Sequence, residues 1–363
     1  MSATSAVTTR GPIARASNIA GSIARDRAGC RRARAPPFDG SGRGSYDADV
    51  DRPYVEHVRV ENFRCIKSAD LHLTPLHALI GPNDSGKSSI LRAITNQEST
   101  LWVPGAGGRW RQNYTVLDYP GQRHGQLDQA SLGVLHAAVG PLAVLRLDPD
   151  AMRAPVRLIP HGAQLWFGDE KGGGLAALYD ALLSRDLASF SAINDRFRSL
   201  FPTARSIRLH NASAIEKQLG LTLLDGTEVG PSEMSEGMLY WLAFAIIEYL
   251  NPYALLLIEE PENGLHPARI KEVMKVLREV SQRTQIILAT HSPLVVNELQ
   301  PEEVTIVTRT PERGTICTPM VETKHFQTRK QIYALGELWL SFADGDVESE
   351  LVPDATPTAA TAG

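Results

Sequence analysis

The chain contains few cysteines, and their spacing excludes a disulfide framework and a cysteine-based metal site. Only three occur in 363 residues, Cys30, Cys65 and Cys317. Their odd number and scattered positions match neither a disulfide framework nor a metal site. We therefore expect free thiols in a reducing compartment and predict a cytoplasmic protein.

The sequence also lacks an apolar run that is long enough to cross a bilayer. The longest candidate, residues 242–258, is interrupted by Glu248, Asn251 and Pro252. A membrane-spanning helix needs about 20 consecutive apolar residues, so this stretch does not qualify. We accordingly expect no membrane partner.

Lysine is absent from residues 1–46, which contain eight arginines and two acids, Asp26 and Asp39. This segment has a net charge of +6, which leaves −10 for the remainder of a chain whose total is −4. An acidic remainder gives no general argument for nucleic-acid binding, although it is compatible with a local basic patch.

Residues 1–52 are rich in Ser, Ala, Gly and Arg, which predicts a disordered leader. The same composition is typical of an organellar transit peptide, and an arginine-rich arm can also bind nucleic acid. In a third interpretation the segment precedes the physiological start. We favour a disordered or non-physiological leader. We place the folded domain at 53–343 and expect a disordered tail at 344–363, which is acidic and then rich in Pro, Ala and Thr.

A phosphate loop is the most specific motif in the chain. Residues 81–88 read GPNDSGKS and fit G-x-x-x-x-G-K-[ST] without a mismatch. Residues 77–80 predict a strand before the loop, and residues 89–94 predict a helix after it. We expect Lys87 to reach the β- and γ-phosphates and the Ser88 hydroxyl to hold Mg²⁺. The candidate nucleotide-binding residues of this stretch are Gly81, Pro82, Asn83, Asp84, Ser85, Gly86, Lys87, Ser88 and Ser89.

A second motif is the apolar run 255–258, which leads directly into Glu259 and Glu260. Such a run predicts a central strand of a parallel sheet that is covered on both faces. The carboxyl end of such a strand faces the crevice where α/β proteins bind ligands. Because successive strand residues point to opposite faces, we expect the two glutamates to have different roles.

The remaining pattern predicts an α/β fold, a P-loop NTPase with a mixed sheet, helices on both faces and an α+β insertion at about 100–230. Further predicted core elements are two short strands within 55–73, a buried helix at 238–247, an amphipathic helix at 270–280, and strands at 285–290 and 304–307. Within the insertion we predict strands at 142–147, 207–209 and 221–224 and helices at 175–183 and 190–201. Trp110 between Arg109 and Arg111 suggests either base stacking or, as we favour, an aromatic-anchored loop.

The order of these motifs resembles the ATP-binding-cassette (ABC) class of ATPases, and within it the RecF- and SMC-like group of stand-alone ATPases. The sequences EEPENGLHP at 259–267 and ATHSP at 289–293 are similar to the AAA-family ATPases that include the OLD (overcoming lysogenization defect) proteins. The resemblance covers roughly 54–98 and 225–310. The insertion and both tails lie outside its specific part.

The resemblance implies catalytic roles at three positions. Residues 81–88 match the Walker A loop, and Glu259 matches the Walker B acid, which holds Mg²⁺ through water. Glu260 matches the general base that polarises the attacking water. His291 matches the switch histidine that contacts the γ-phosphate, although a lone histidine after a strand is also compatible with a structural role.

The resemblance also implies a dimer that closes around ATP. Residues 234–237 match the signature motif, in which Ser235 and Gly237 touch the γ-phosphate of a nucleotide held by the other subunit. Asn263 and Gly264 match the loop that crosses the dimer interface. A Ser-Glu-Gly sequence is also a common helix cap, so this assignment depends on the motif order.

The chain departs from the family pattern at three points. Asp84 occupies a position where related loops often have glycine, and which can require a positive φ that Asp tolerates. Glu259 replaces the usual aspartate. The glutamine that couples nucleotide to the inserted domain has three candidates, Gln112, Gln122 and Gln126.

We therefore expect an ATPase that dimerises around Mg-ATP, in DNA repair or phage defence, with DNA and a separate nuclease or effector protein as candidate partners. About fifty residues follow Val307, too few for the ~100-residue nuclease domain of OLD proteins, so we expect any nuclease to be a partner. A nucleotide-switched regulatory module with little turnover is the alternative. A transporter ATPase is a third interpretation, which the His-Pro sequence at 266–267 and the long insertion disfavour.

Overall fold

The computed structural model describes residue 55, residues 57–95, 114–118 and 142–323, and a few positions towards the C-terminus, 326 and 334–337. The predicted leader 1–52 and tail 344–363 lie outside these residues. So do the Arg109–Arg111 stretch and the three candidate glutamines. Among the described residues no helix is long and apolar enough to cross a membrane.

The described part contains the following elements. The strands are β1 (His57–Phe63), β2 (Ile66–His72), β3 (Leu76–Ile80), β4 (Tyr114–Asp118), β5 (Leu142–Leu145), β6 (Val156–Arg157), β7 (Ala204–Asn211), β8 (Glu216–Leu223), β9 (Glu228–Val229), β10 (Leu255–Glu259), β11 (Gln285–Thr290), β12 (Val304–Thr310) and β13 (Gly314–Pro319). The helices are α1 (Lys87–Thr95), α2 (Pro149–Arg153), α3 (Leu175–Arg185), α4 (Leu187–Leu200), α5 (Glu236–Ile247), α6 (Pro267–Ser281) and α7 (Pro293–Val296).

A six-stranded sheet with the order β13-β12-β3-β11-β10-β5 forms the centre of the fold. All its pairings are parallel except that of β13 with β12, which is antiparallel. The strands β3, β11 and β10 are neighbours, so their carboxyl ends lie at one edge of the sheet. This edge carries the phosphate loop after β3, His291 after β11 and Glu260 after β10. The predicted mixed α/β sheet is confirmed.

The two faces of this sheet are covered by different structures. Alternate residues of β10 show the division: Leu256 and Ile258 pack in the core that contains α5 and α6, whereas Leu255 and Leu257 pack in the core that contains α1 and the inner face of β1 and β2. Helices thus lie on both faces, as predicted, but α1 shares its face with the antiparallel sheet β2-β1-β4. The alternation directs Glu259 towards the α1 side.

The segment predicted as an insertion contains one strand of the central sheet. Strand β5 pairs with β10 in parallel, from Leu142 opposite Leu255 to Leu145 opposite Ile258. The antiparallel sheet of β6, β7, β8 and β9, with α3 and α4, forms a separate layer. Apolar residues of this layer continue the core around α5, for example Phe197 of α4 against Trp241 at 5.7 Å between ring centroids.

The helices begin where the sequence supplies caps. Ser235 caps α5 by accepting a hydrogen bond from Met238 N at 3.4 Å. His266 caps α6, and Pro267 occupies its first turn, where a missing N–H has no cost. The predicted helices and strands of the central fold are confirmed, with ends that differ by a few residues. Strand β13 was not predicted.

Candidate functional site

The phosphate loop connects β3 to α1 and contains two residues with positive φ. Asp84 has φ 66° and Gly86 has φ 112°. The expectation that position 84 requires a positive φ is therefore confirmed, and Asp is among the residues that tolerate it. Gly81 has no room for a side chain, because an added Cβ would overlap the carbonyl oxygen of Val307.

The hairpin of β12 and β13 supports the loop from behind. Thr315 Oγ1 donates a hydrogen bond to the Ser85 carbonyl at 2.9 Å, and Arg309 Nη1 donates to the Asp84 carbonyl at 3.5 Å. A Cβ at Gly86 would overlap Thr315. The hydroxyl of Ser85 itself is buried and has no hydrogen-bond partner. The phosphate loop is therefore fixed by the hairpin of β12 and β13, of which only β12 was predicted from the sequence.

Lys87 lies at the start of α1 and points back across the loop. Its Nζ donates to the carbonyl oxygens of Gly81 at 2.7 Å and Pro82 at 2.8 Å. Burial lowers the pKa of this lysine, and nearby carboxylates, Glu260 first, oppose the shift by favouring the charged form. The loop thus holds a partly desolvated cation, which suits the negative charge of a phosphate chain.

Ser88 and Glu259 join the phosphate loop to the end of β10. Ser88 Oγ donates a hydrogen bond to Glu259 Oε2 at 3.1 Å, and Glu259 is only 9% exposed. Mg²⁺ prefers oxygen donors, and here a hydroxyl oxygen and a carboxylate oxygen lie close together and are partly shielded from solvent. These two residues therefore fit the predicted metal site.

Glu260 follows the strand in a strained conformation. Its φ is 50°, in the left-handed region that few residues other than Gly, Asn and Asp adopt. Its N–H donates to Ala289 O at 2.8 Å, and its Oε2 accepts a hydrogen bond from Asn263 Nδ2 at 2.6 Å. Glu260 therefore departs from the strand geometry that directs Glu259 towards the α1 side. The two contacts fix Glu260 in this conformation.

Glu262 is a third acidic residue at this edge, and sequence reasoning gave it no role. Its Oε1 accepts hydrogen bonds from Thr290 Oγ1 at 2.7 Å and from His291 N at 3.2 Å. Its Oε2 is buried without a hydrogen-bond partner. The His291 Nδ1 atom lies 3.5 Å from Oε1, while half of the His291 side chain remains exposed. The sequence motif includes Glu262, but its contacts become visible only in the structure, where β10 pairs with β11.

Two cavities meet at Glu259 and Glu260. The first, which we call the phosphate-loop cavity, has a volume of about 550 Å³. It is lined by Cys65, Asn83, Asp84, Gly86, Lys87, Ser88, Ser89, Glu259, Glu260, Ala289 and Arg309. The second, of about 480 Å³, lies beside Tyr240 and the loop that follows β5, and Asn263 also lines it. Six predicted loop residues thus share one cavity with both glutamates. His291, Ser235 and Gly237 are not among the residues that line the first cavity.

Ser235 and Gly237 lie instead at the N-terminus of α5, against the turn that follows β10. A Cβ at Gly237 would come within 2.8 Å of the Gly264 carbonyl oxygen, and a Cβ at Gly264 would come within 2.5 Å of the Tyr240 ring. Gly264 also has φ 65°. The two glycines therefore permit close backbone contact between α5 and this turn. The role of Ser235 and Gly237 towards a nucleotide stays a prediction.

Two family models match separate parts of the chain. Residues 159–297 match a family described as an AAA domain, putative AbiEii toxin, Type IV TA system. Residues 54–100 match the AAA ATPase domain family. The first match includes the end of β10 and His291, and the second includes the phosphate loop.

Similar proteins of known identity match shorter stretches. The OLD nuclease of Thermus scotoductus is 39% identical over 64 residues, which are 18% of this chain and 12% of that protein. The Retron Vc95 probable ATPase of Vibrio cholerae is 33% identical over 70 residues, 19% of this chain and 14% of that protein. The chain thus spans only a small part of either relative. Among solved structures, an Smc head bound to the C-winged helix domain of ScpA aligns at 16% identity and a TM-score of 0.48, over 73% of this chain and 97% of that one. The phosphate loop and the acidic end of β10 thus lie in regions that match AAA ATPase-domain families, and over a short stretch the chain is similar to an OLD nuclease.

Proposed function

We propose that the chain binds Mg-ATP and hydrolyses its terminal phosphoric anhydride bond between the phosphate loop and the end of β10. The observation that carries this proposal is the 3.1 Å hydrogen bond between Ser88 and Glu259. It joins residues that are 171 positions apart and brings the two predicted metal-binding oxygens together. The matches to ATPase-domain families support the same activity.

The loop residues bind the phosphates in this proposal. Backbone N–H groups of residues 81–89 and the N-terminus of α1 provide an anion site, and Lys87 adds a fixed positive charge. Ser88 would hold Mg²⁺ directly and Glu259 through water. When bound, Mg²⁺ supplies charge neutralisation of the β- and γ-phosphates, which is a main requirement of phosphoryl transfer.

Glu260 takes the proton of the attacking water. Asn263 holds one oxygen of this carboxylate at 2.6 Å and leaves the other available. The positive φ of Glu260 supports the assignment, because strained backbone is often found where function determines the conformation. His291 contacts the γ-phosphate, and Glu262 fixes the backbone that carries it.

Two subunits complete each site in this proposal. Ser235 is exposed at the start of α5, Gly237 is buried two residues later against the Gly264 turn, and neither lines the phosphate-loop cavity of its own chain. In this proposal the start of α5, through Ser235 and the backbone of Gly237, binds the γ-phosphate held by a second subunit. A helix N-terminus at that position adds anion affinity. ATP then forms part of the dimer interface, and dimerisation is linked to nucleotide binding.

The biological setting is proposed from the similar proteins. One is named an OLD nuclease and the other a retron ATPase. These names support a role in DNA repair or phage defence, with DNA and a separate nuclease or effector as partners. The alternative, a nucleotide-switched module with little turnover, uses the same residues and differs only in rate.

Steady-state phosphate release separates these functions. We expect Lys87→Ala to abolish ATP binding, because the phosphates lose their fixed cation. Glu260→Gln should retain ATP binding and lower turnover by about 100-fold or more, the range expected for loss of a general base. If Glu259→Gln gives this phenotype and Glu260→Gln does not, the two roles are exchanged. Binding without measurable wild-type turnover would favour the regulatory module.

A further inference from the structure

Three side chains of types that commonly bind metal ions lie close together on the outer face of the β2-β1-β4 sheet. His57 is at the start of β1, and Asp70 and His72 are at the end of β2. One nitrogen of each ring and a carboxylate oxygen all lie within 4.8 Å of one another. None of the three lines the phosphate-loop cavity, so the cluster is distinct from the proposed Mg²⁺ site.

Strand register explains why the three side chains share a face. His57 is directly opposite His72, and Asp70 precedes His72 by two residues. Residues two apart on a strand lie on the same face, and directly opposed residues have Cβ atoms about 4.5–5.5 Å apart. The intervening pair, Val58 and Leu71, is buried. The cluster therefore lies on the side of the sheet that faces solvent.

Local contacts already hold these donors together. His57 Nε2 contacts Asp70 Oδ1, and the rings of His57 and His72 lie 4.9 Å apart, tilted by 30°. On its other side His57 is paired in register with Asp118 of β4. A surface pair of His57 and Asp70 alone contributes little to stability. The second histidine adds a donor that such a pair does not need.

We propose that His57, Asp70 and His72 form a binding site for a divalent transition-metal ion of the Zn²⁺ type. Two imidazole nitrogens and one carboxylate are a ligand set that Zn²⁺ accepts in tetrahedral sites, with a fourth position for water or another ligand. Imidazole donors select such ions over Mg²⁺, which prefers oxygen. The ion would join β1 and β2 at the open end of their hairpin, whereas the turn of the same hairpin, at Cys65, borders the phosphate-loop cavity.

Zinc titration of the full chain without a histidine tag tests the proposal. The protein competes with a chromophoric chelator in excess Mg²⁺, which occupies oxygen-donor sites. We expect one high-affinity Zn²⁺ per chain, and Co²⁺ in its place should give the visible absorption of a four-coordinate ion. His57→Ala and His72→Ala should each weaken binding by about tenfold or more, since even groups that only orient a ligand contribute about 10–100-fold. Asp70→Asn should weaken it as well.

Two control variants separate ligand loss from general effects. Arg59→Ala removes an exposed side chain from the same face of β1, and His161→Ala removes an exposed histidine elsewhere; both should bind Zn²⁺ as the wild type does. Zn²⁺ should raise the melting temperature of these controls but not that of the His57→Ala/His72→Ala double variant. The proposal is wrong if the wild type binds no Zn²⁺ under these conditions, or if the double variant retains its stoichiometry and affinity.

Discussion

The buried carboxylate of Glu262 accepts a 2.7 Å hydrogen bond from the Thr290 hydroxyl and so ties the turn after β10 to the last residue of β11. The same oxygen accepts the N–H of His291 at 3.2 Å. Glu262 does not line the phosphate-loop cavity, but it fixes the two chain segments that carry Glu260 and His291. We therefore regard it as a positioning residue for the proposed hydrolysis.

Replacing Glu262 with Ala should impair hydrolysis more than ATP binding. The change leaves the Thr290 hydroxyl and the His291 N–H without an acceptor, which costs about 1–3 kcal/mol of stability. A displaced His291 should lower turnover by about tenfold to 100-fold, as small misplacements of catalytic groups do. Phosphate release and urea denaturation of the same preparation measure both effects.

Glu279→Ala is the matched control for this substitution, because Glu279 is an exposed glutamate on α6. It should change neither rate nor stability appreciably. Thr290→Val, combined with Glu262→Ala in a double-mutant cycle, tests the contact itself. Additive effects on turnover would show that the 2.7 Å hydrogen bond has no part in positioning His291.

Gly264 combines a positive φ with a tight contact, and the two costs can be separated. Gly264→Ala places a Cβ at 2.5 Å from the Tyr240 ring, in a backbone with φ 65°. Gly226→Ala introduces the same kind of strain at φ 89° with no atom within 4 Å. We expect Gly226→Ala to cost about 1–2 kcal/mol, the value for a left-handed residue with a Cβ. Gly264→Ala should cost more, as measured by urea denaturation.

Tyr240 can be used to test the source of the extra cost. If the contact between Gly264 and the ring is responsible, Tyr240→Leu should recover part of the stability lost in Gly264→Ala. Equal losses in Gly264→Ala and Gly226→Ala would show that only the backbone conformation matters.

Much of the central fold could be predicted because its signals are local. The apolar run before Glu259 specifies a buried strand, and the motif around Lys87 specifies a strand, a loop and a helix. The positive φ of Asp84 followed from its place within that motif. Such features depend on a few neighbouring residues, so the sequence contains the information in one place.

The contacts of Glu262, by contrast, depend on which strands become neighbours. Its partner Thr290 is 28 residues away and comes into reach only because β10 and β11 pair in parallel. The packing of Gly264 against Tyr240 likewise needs the position of α5. Strand β5 was assigned to an insertion because no local feature shows that it pairs with β10. Each of these contacts depends on pairing or packing between segments that are distant in the sequence. Hydrophobic periodicity contains no information about such long-range pairing.

Buried His77 should make the protein less stable in mild acid. It lies on β3, contacts Thr305 Oγ1 at 2.9 Å, and is 1% exposed. Burial lowers its pKa from 6.5 to about 3. Between these values the unfolded chain binds the proton and the folded chain does not, so stability falls as pH decreases below about 6.5. The loss is about 1.4 kcal/mol per pH unit.

The comparison with His77→Gln isolates this effect from the titration of carboxylates. An amide can still hydrogen-bond Thr305 but does not titrate. Urea denaturation between pH 7 and 4 should therefore show a shallower decrease for His77→Gln than for the wild type, whereas exposed His161→Gln should follow the wild type. Parallel curves for all three proteins would contradict a neutral, buried His77.

The composite site of the proposed dimer can be tested with a variant that traps the ATP-bound state. Glu260→Gln should bind ATP without consuming it, and so accumulate the ATP-bound dimer. In light scattering this variant should shift from monomer towards dimer mass on addition of Mg-ATP, and much less with ADP. Adding Ser235→Arg should prevent the shift and leave single-site ATP binding nearly intact, because the larger side chain lies where the partner's γ-phosphate would bind.

Ser235 also caps α5, so two further variants are needed to interpret this result. In the Glu260→Gln background, Ser235→Ala removes the cap, at about 1 kcal/mol, together with one hydroxyl contact to the partner's γ-phosphate, and should weaken dimerisation far less than Ser235→Arg does. Ser232→Arg places the same side chain at an exposed position three residues earlier and should also dimerise. Since each site needs two chains, wild-type specific activity should rise with protein concentration near the dimerisation constant. Specific activity that is independent of dilution, together with a Glu260→Gln variant that stays monomeric, would rule out the composite site and leave a monomeric ATPase.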